Sequence, residues 1–216
     1  MKKILFALAM ATSVFAQASL LTFEDGSKAL NGVNLKATAA INDKDSKPTS
    51  TKLDILGAGL RTKAVLISEV KVYVAQLFSD NKAGFSRDAN TALTSLVQTS
   101  NRVALKLDML RTVSAASLVT SFKEALAANN IALDAELTSA LGLMEKAADA
   151  TSGKSITLLM TKDNNKTNLY YEDTKGNSVS MVGSPEMMTK IMSIWLGKPV
   201  DDGLANLKKQ LLNPVY

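Results

Sequence analysis

The 216-residue chain contains neither cysteine nor histidine. Together those absences remove disulfide frameworks, soft-metal sites, cysteine nucleophiles, Ser-His-Asp triads and imidazole acid–base chemistry. Any catalysis would rest on Arg, Lys, Tyr, Ser, Thr or carboxylates. Aromatic residues make up only 5% of the chain, and there is a single Trp. The basic residues are scattered, so the formal charge of +5 lacks the concentrated basic surface and stacking aromatics that nucleic-acid binding needs.

The one long apolar run stands at the start. "MKK" is a short basic opening, "ILFALAMATSVFA" an apolar core, and "VFAQA" offers small residues at cleavage spacing after Ala16 or Ala18. Residues 1–18 therefore read as a secretory signal peptide. The apolar core is too short to span a bilayer stably and no second such stretch follows. The expected mature chain, 19–216, is periplasmic or secreted, has no stable membrane insertion, and has the size of one domain. A cysteine-free exported chain is ordinary in a Gram-negative periplasm. N-terminal sequencing of envelope-fraction protein is expected to begin at Gln17 or Ser19; a mature protein still starting at Met1 in the cytoplasm would overturn this.

Beyond the leader, residues 20–55 read as extended segments and loops, with Pro48 in a polar connection. "NRVALKLDML" alternates at period two and predicts a strand. A short helix is expected through "TALTSLVQ" with Ser86 or Asp88 as cap. Another follows Ser114 and a third starts after Asp134. "SITLLMTKD", "TNLYYED" and "NSVSMVG" predict three strands joined by hairpins. "SPEMMTKIMSIWLGK", capped by Ser184, and "DDGLANLKKQLL" predict the closing helices. Hairpin strands with helices grouped between them imply an α+β domain with a mainly antiparallel sheet.

The familiar ligand motifs fail on context. Gly57-x-Gly59 lacks the third glycine and the helix of a dinucleotide fingerprint. "GKS" at 153–155 has no glycine five residues before its lysine and precedes a strand. "KDNNKTN" lacks the glycine and terminal glutamate of a calcium loop. No cofactor and no metal site is expected. Met187, Met188, Met192 and Trp195 fall at helical spacing, a core pattern that is also compatible with a flexible apolar wall beside a cavity.

The informative stretch is "LGAGLRTKAVLISEVKVYVAQLF", 56–78. On one continuous strand Arg61 and Tyr73 would stand roughly 40 Å apart. A hairpin turning around Leu66 to Ser68 would instead set them nearly opposite, on one face. "VLISEV" contains no Gly, Asn or Pro to mark such a turn. A buried Arg61 needs a partner, and two answer: a ligand carboxylate, beside whose head group Gly57 and Gly59 would permit close backbone approach, or a protein carboxylate such as Glu69.

This stretch resembles the signature of the chalcone isomerase-fold superfamily, and "IMSIWLGKPVDDGLANLKKQLL" resembles its closing segment. "VALKLDMLRTVSAASLVTSFKEAL" and "SGKSITLLMTKDNNKTNLYYEDTKGNSVSMVG" are similar to the portions between, so the likeness covers nearly all of the mature chain. It implies an open-faced sandwich, an antiparallel sheet backed by helices with a cleft between them. Arg61 matches the arginine that plant chalcone isomerases use to hold the flavonoid oxyanion. Tyr73 falls where those enzymes carry a threonine, and there the chain is more similar to the fatty-acid-binding branch, which sets Arg and Tyr on a carboxylate. The helix region supplying a Tyr and an Asn to the isomerases reads "SAASLVTS", with Ser114 and Ser121 at or near those places. The late threonine position falls on Met181. The resemblance thus implies a non-catalytic protein binding a fatty acid through Arg61 and Tyr73, with Ser114, Ser121, Met181 and Met188 lining the cleft. An isomerase or lyase acting on an enone, and an envelope protein whose surface does the work, are the alternatives.

Overall fold

The computed structural model describes residues 19–43, 47–66 and 68–215; the segment read as a signal peptide lies outside them. Eight strands follow one another in chain order across one antiparallel sheet: β1 (Leu21–Leu30), β2 (Val33–Asn42), β3 (Pro48–Val65), β4 (Ser68–Ser79), β5 (Arg102–Met109), β6 (Ser155–Asp163), β7 (Lys166–Glu172) and β8 (Ser178–Gly183). Helix α1 (Ala92–Thr99) links β4 to β5. Helices α2 (Ala115–Ala128) and α3 (Ala135–Glu145) link β5 to β6, and α4 (Met187–Leu196) and α5 (Asp202–Leu211) follow β8. This is the α+β architecture the patterning implies. No helix among the described residues is long and apolar enough to cross a membrane.

Local chemistry sets the turns. The β1–β2 hairpin reverses at Asn31–Gly32 and the β6–β7 hairpin at Asn164–Asn165, all four with positive φ, as a primed two-residue loop requires. Ser114 caps α2 by accepting from Ser117 N–H, and Asp134 caps α3 by accepting from Leu137 N–H. Two expected caps are displaced. Helix α1 begins behind Thr91, and Asp88 instead accepts from Asn90 and Thr91 in the preceding turn. Helix α4 begins behind Glu186, because Ser184 is engaged by the Glu136 carboxylate.

Alternation along β4 sends Tyr73, Ala75 and Leu77 to one face and Val74 and Phe78 to the other. The first face carries the helices, with Phe122 of α2, Trp195 of α4 and Leu207 of α5 in one core. On the second face the β1–β2 hairpin curls back over the sheet. Phe23 of β1 lies against Phe78, ring centroids 5.6 Å apart, and Leu20 N–H donates to Glu172 of β7 at 2.7 Å. Buried Gln76 accepts from Lys36 N–H of β2 (2.7 Å) and donates to Asp108 of β5 (2.8 Å), which ties the hairpin down by hydrogen bonds.

Helix α5 answers why β3 carries a Gly-x-Gly. Pairing of β2 with β3 runs no further than Asp54 toward the β3–β4 turn, and α5 packs on the stretch beyond. A Cβ on Gly57 would stand 1.8 Å from the Leu211 carbonyl oxygen, and one on Gly59 2.8 Å from Gln210 Cβ. The glycines let helix backbone meet strand backbone; that is close approach to the protein's own helix, where a ligand head group was the sequence-based expectation. Gln210 completes the contact by accepting from Leu60 N–H at 2.9 Å.

Candidate ligand-binding cleft

The long β3–β4 pair forms an arm that reverses at Leu66, and Arg61 stands directly opposite Tyr73. The turn forms without turn residues because Leu66 itself adopts φ 54°. Between the Arg61–Tyr73 pair and the Thr62–Lys71 pair the register shifts by one residue on β4. That bulge lets Val72 as well as Tyr73 line the same cleft. The cleft, about 550 Å³, lies between the arm, α2 and the start of α5. Val65, Val70, Val72, Leu118, Phe122 and Ile194 supply apolar wall, while Arg61, Lys63 and Arg111 supply positive charge.

Arg61 is buried, 7% exposed, and it is already partnered. Nη1 and Nη2 reach the two Asp201 carboxylate oxygens at 2.5 and 2.6 Å, and Nη1 also donates to the Thr62 carbonyl. The partner is therefore Asp201; Glu69, the carboxylate suggested by sequence, accepts from the Thr62 hydroxyl on the other side of the arm. Asp201 is also the N-cap of α5, accepting from Leu204 N–H at 2.8 Å. Burial pushes the Asp201 carboxyl up, but the Arg61 hydrogen bonds, the Leu204 N–H and the nearby Lys63 outweigh it, and its pKa ends below the usual value. A guanidinium has five N–H donors. Three of those on Arg61 are used in these bonds, leaving Nε–H and one Nη2–H.

Tyr73 is buried across from Arg61, and its hydroxyl accepts from Trp195 Nε1 at 3.1 Å. Burial pushes the Tyr73 pKa up, so the phenol stays protonated at physiological pH. Its own O–H has no acceptor among the described residues. Phe122 holds the Trp195 ring edge-on, centroids 5.2 Å apart. Tyr73→Phe is expected to cost about 1–3 kcal/mol of stability, because it leaves the Trp195 N–H buried without a partner. Urea unfolding measures it; an unchanged midpoint would show that water replaces the hydroxyl.

The sequence profile of chalcone isomerase-like proteins matches residues 27–213, from within β1 to just beyond α5. The chain belongs to the chalcone isomerase-like family. No curated protein matches it individually. In this chalcone isomerase-like chain the arginine that the sequence likeness aligned with an oxyanion holder is bound end-on by a carboxylate, and the tyrosine across from it is bound by an indole.

The remaining candidates divide. Ser114 and Ser121 both line the cleft, although Ser114 is engaged as the cap of α2 and Ser121 donates to the Ser117 carbonyl at 3.1 Å. Met181 and Met188 do not line it. Met188 is fully buried in the helix-side core. Met181 sits on β8 opposite Leu169, four strand positions from β4, roughly 19 Å at the usual strand spacing. Sequence reasoning missed Lys63, Arg111 and Asp201. The "DDG" before an apolar-periodic run does signal a helix cap at Asp201, but nothing local pairs it with a residue 140 positions earlier.

Proposed function

We propose that this chain is an exported, non-catalytic binding protein that holds a fatty acid or similar elongated apolar carboxylate in the cleft. The observation that carries the reading is the cleft's division of labour, apolar side chains along its walls with Arg61, Lys63 and Arg111 converging on it. Its volume lies within the range of small-molecule sites. The head group would meet the unused edge of the Arg61 guanidinium and the Tyr73 O–H, while Asp201 holds the guanidinium in place. Burial of the tail would supply affinity at roughly 0.8 kcal/mol for each CH₂. Electrophilic catalysis is less well served. Stabilising a developing oxyanion needs preorganised, uncompensated donors, and the Arg61 charge is answered by Asp201.

Calorimetry across saturated acids of increasing length tests the reading. Affinity is expected to rise with each methylene until the cleft is full, and methyl esters are expected to bind more weakly than the acids. Equal affinity for acid and ester, or none for either, would sink it. Stopped-flow absorbance with a chalcone is expected to show cyclisation at the background rate. A saturable rate abolished by Arg61→Ala would favour the isomerase instead.

A further inference from the structure

Five non-glycine residues among those described have positive φ, and four of them are Asn: Asn31, Asn130, Asn164 and Asn165. The fifth is Leu66, at φ 54°. Asn adopts this conformation at little cost because its short polar side chain bonds locally, whereas a Leu there gains nothing from the backbone. Leu66 gains nothing from packing either, since it is 99% exposed. A large apolar side chain that is both strained and wholly solvated has no role in holding the fold, and such local violations mark functional positions.

Its surroundings point to one kind of partner. Five large hydrophobics are exposed among the described residues, and three gather at this end: Leu66, Val65 at 46% and Val200 at 41%. Val65 and Val200 both line the cleft. Exposed cations stand behind the tip on both faces of the arm, Lys63 on the cleft-facing side and Lys71 on the other, with Arg111 beside the cleft. The acidic residues nearby are Glu69, which accepts from Thr62, Glu124, which also lines the cleft, Asp201, whose charge is answered by Arg61, and the exposed Asp202 beside it. Lys63 lies three residues before Leu66, roughly 10 Å along an extended strand. An apolar group that enters a bilayer interface reaches about 5–10 Å into the headgroup and acyl boundary. Leu66 seated at that depth would leave the cations at the level of the lipid phosphates.

We propose that the β3–β4 tip docks reversibly on an anionic lipid surface, Leu66 entering the interface and Lys63, Lys71 and Arg111 meeting the phosphates, with the cleft mouth facing the membrane. The proposal goes beyond ligand binding and does not require it, because the docking groups act on bilayer lipid whatever the cleft contains.

Co-sedimentation with vesicles of equal parts phosphatidylglycerol and phosphatidylcholine, against phosphatidylcholine alone, tests it. The protein is expected to bind the anionic vesicles and to leave them as salt is raised. Leu66→Asn puts a residue suited to positive φ at the tip, so its thermal midpoint is expected to match or exceed the parent's while vesicle binding falls at least tenfold. Lys71→Ala, which lies outside the cleft, is expected to weaken binding about fivefold, the share of one cation near such a surface. Absence of binding to anionic vesicles overturns the proposal, as does undiminished binding by Leu66→Asn. Calorimetry with free acids reads the cleft separately, so either reading can fail without the other.

Discussion

Gly57→Ala is expected to destabilise the protein by about 3 kcal/mol, the upper end of what overpacking usually costs. The added Cβ would sit 1.8 Å from the Leu211 carbonyl oxygen, with the Leu211 carbonyl carbon and Cα also within 3 Å. These are backbone atoms of a helix, so no rotamer change relieves the clash. Helix α5 would have to lift from β3, and with it would go the Gln210 bond to Leu60 and the seat of Asp201. For a chain of this size the loss corresponds to a fall of roughly 6–12 °C in thermal midpoint. Gly142→Ala is the matched control. It lies within α3 and a Cβ there meets nothing within 4 Å, so it is expected to be neutral or to stabilise by about 0.5–1 kcal/mol. Parallel thermal melts decide the matter, and a Gly57→Ala midpoint equal to that of Gly142→Ala would show that the strand–helix contact yields freely.

That contact marks where sequence reasoning stops. Strands β5 to β8 and helices α2 and α3 were legible because their signals are local: period-two alternation, Asn-rich turns, and caps such as Ser114 and Asp134. The hairpin that sets Arg61 against Tyr73 was legible as a geometric option but not from its turn, since Leu66 carries no turn chemistry. The Asn31–Gly32 pair was a readable hairpin signal inside a stretch taken only as extended segments and loops. The meaning of Gly57 and Gly59 was misassigned because what they accommodate, α5, lies some 150 residues later in the chain. The same distance hides Asp201 from Arg61. Methionine spacing on α4 gave the right burial and the wrong neighbour, because a helical stripe says that a residue is inside and not which cavity lies beside it.

Asp201→Ala is expected to cost more than Arg61→Met, and the order is the test of what the pair does. Removing the carboxylate leaves a guanidinium whose side chain is 8% exposed without its counter-charge, a situation that costs about 3 kcal/mol or more, and it also strips the α5 cap, worth ~1 kcal/mol. Removing the guanidinium leaves a carboxylate that is 36% exposed and still capped onto Leu204, so that loss is expected to be about 1–2 kcal/mol, nearer the cost of an ordinary unmade charged bond. The double variant Arg61→Met/Asp201→Asn keeps a capping side chain and removes both charges. It is expected to recover about 1–3 kcal/mol relative to the summed losses of Arg61→Met and Asp201→Asn measured singly, as coupled neighbours do. The pH dependence has a fixed sign. Because the folded pKa of Asp201 is depressed, its contribution is full above the ordinary aspartate value of about 3.9 and is lost as pH falls through the folded value. Asp201→Ala should therefore flatten part of the acid limb of the stability profile, read by urea unfolding from neutral pH downward. Equal costs for the two single variants would mean that water entering through the cleft already solvates the guanidinium and that the ion pair is not structural. If the order holds and the double variant folds normally yet no longer tells an acid from its ester, the structural and recognition roles of Arg61 separate, with Asp201 holding one edge of the guanidinium and the other edge left to read the ligand.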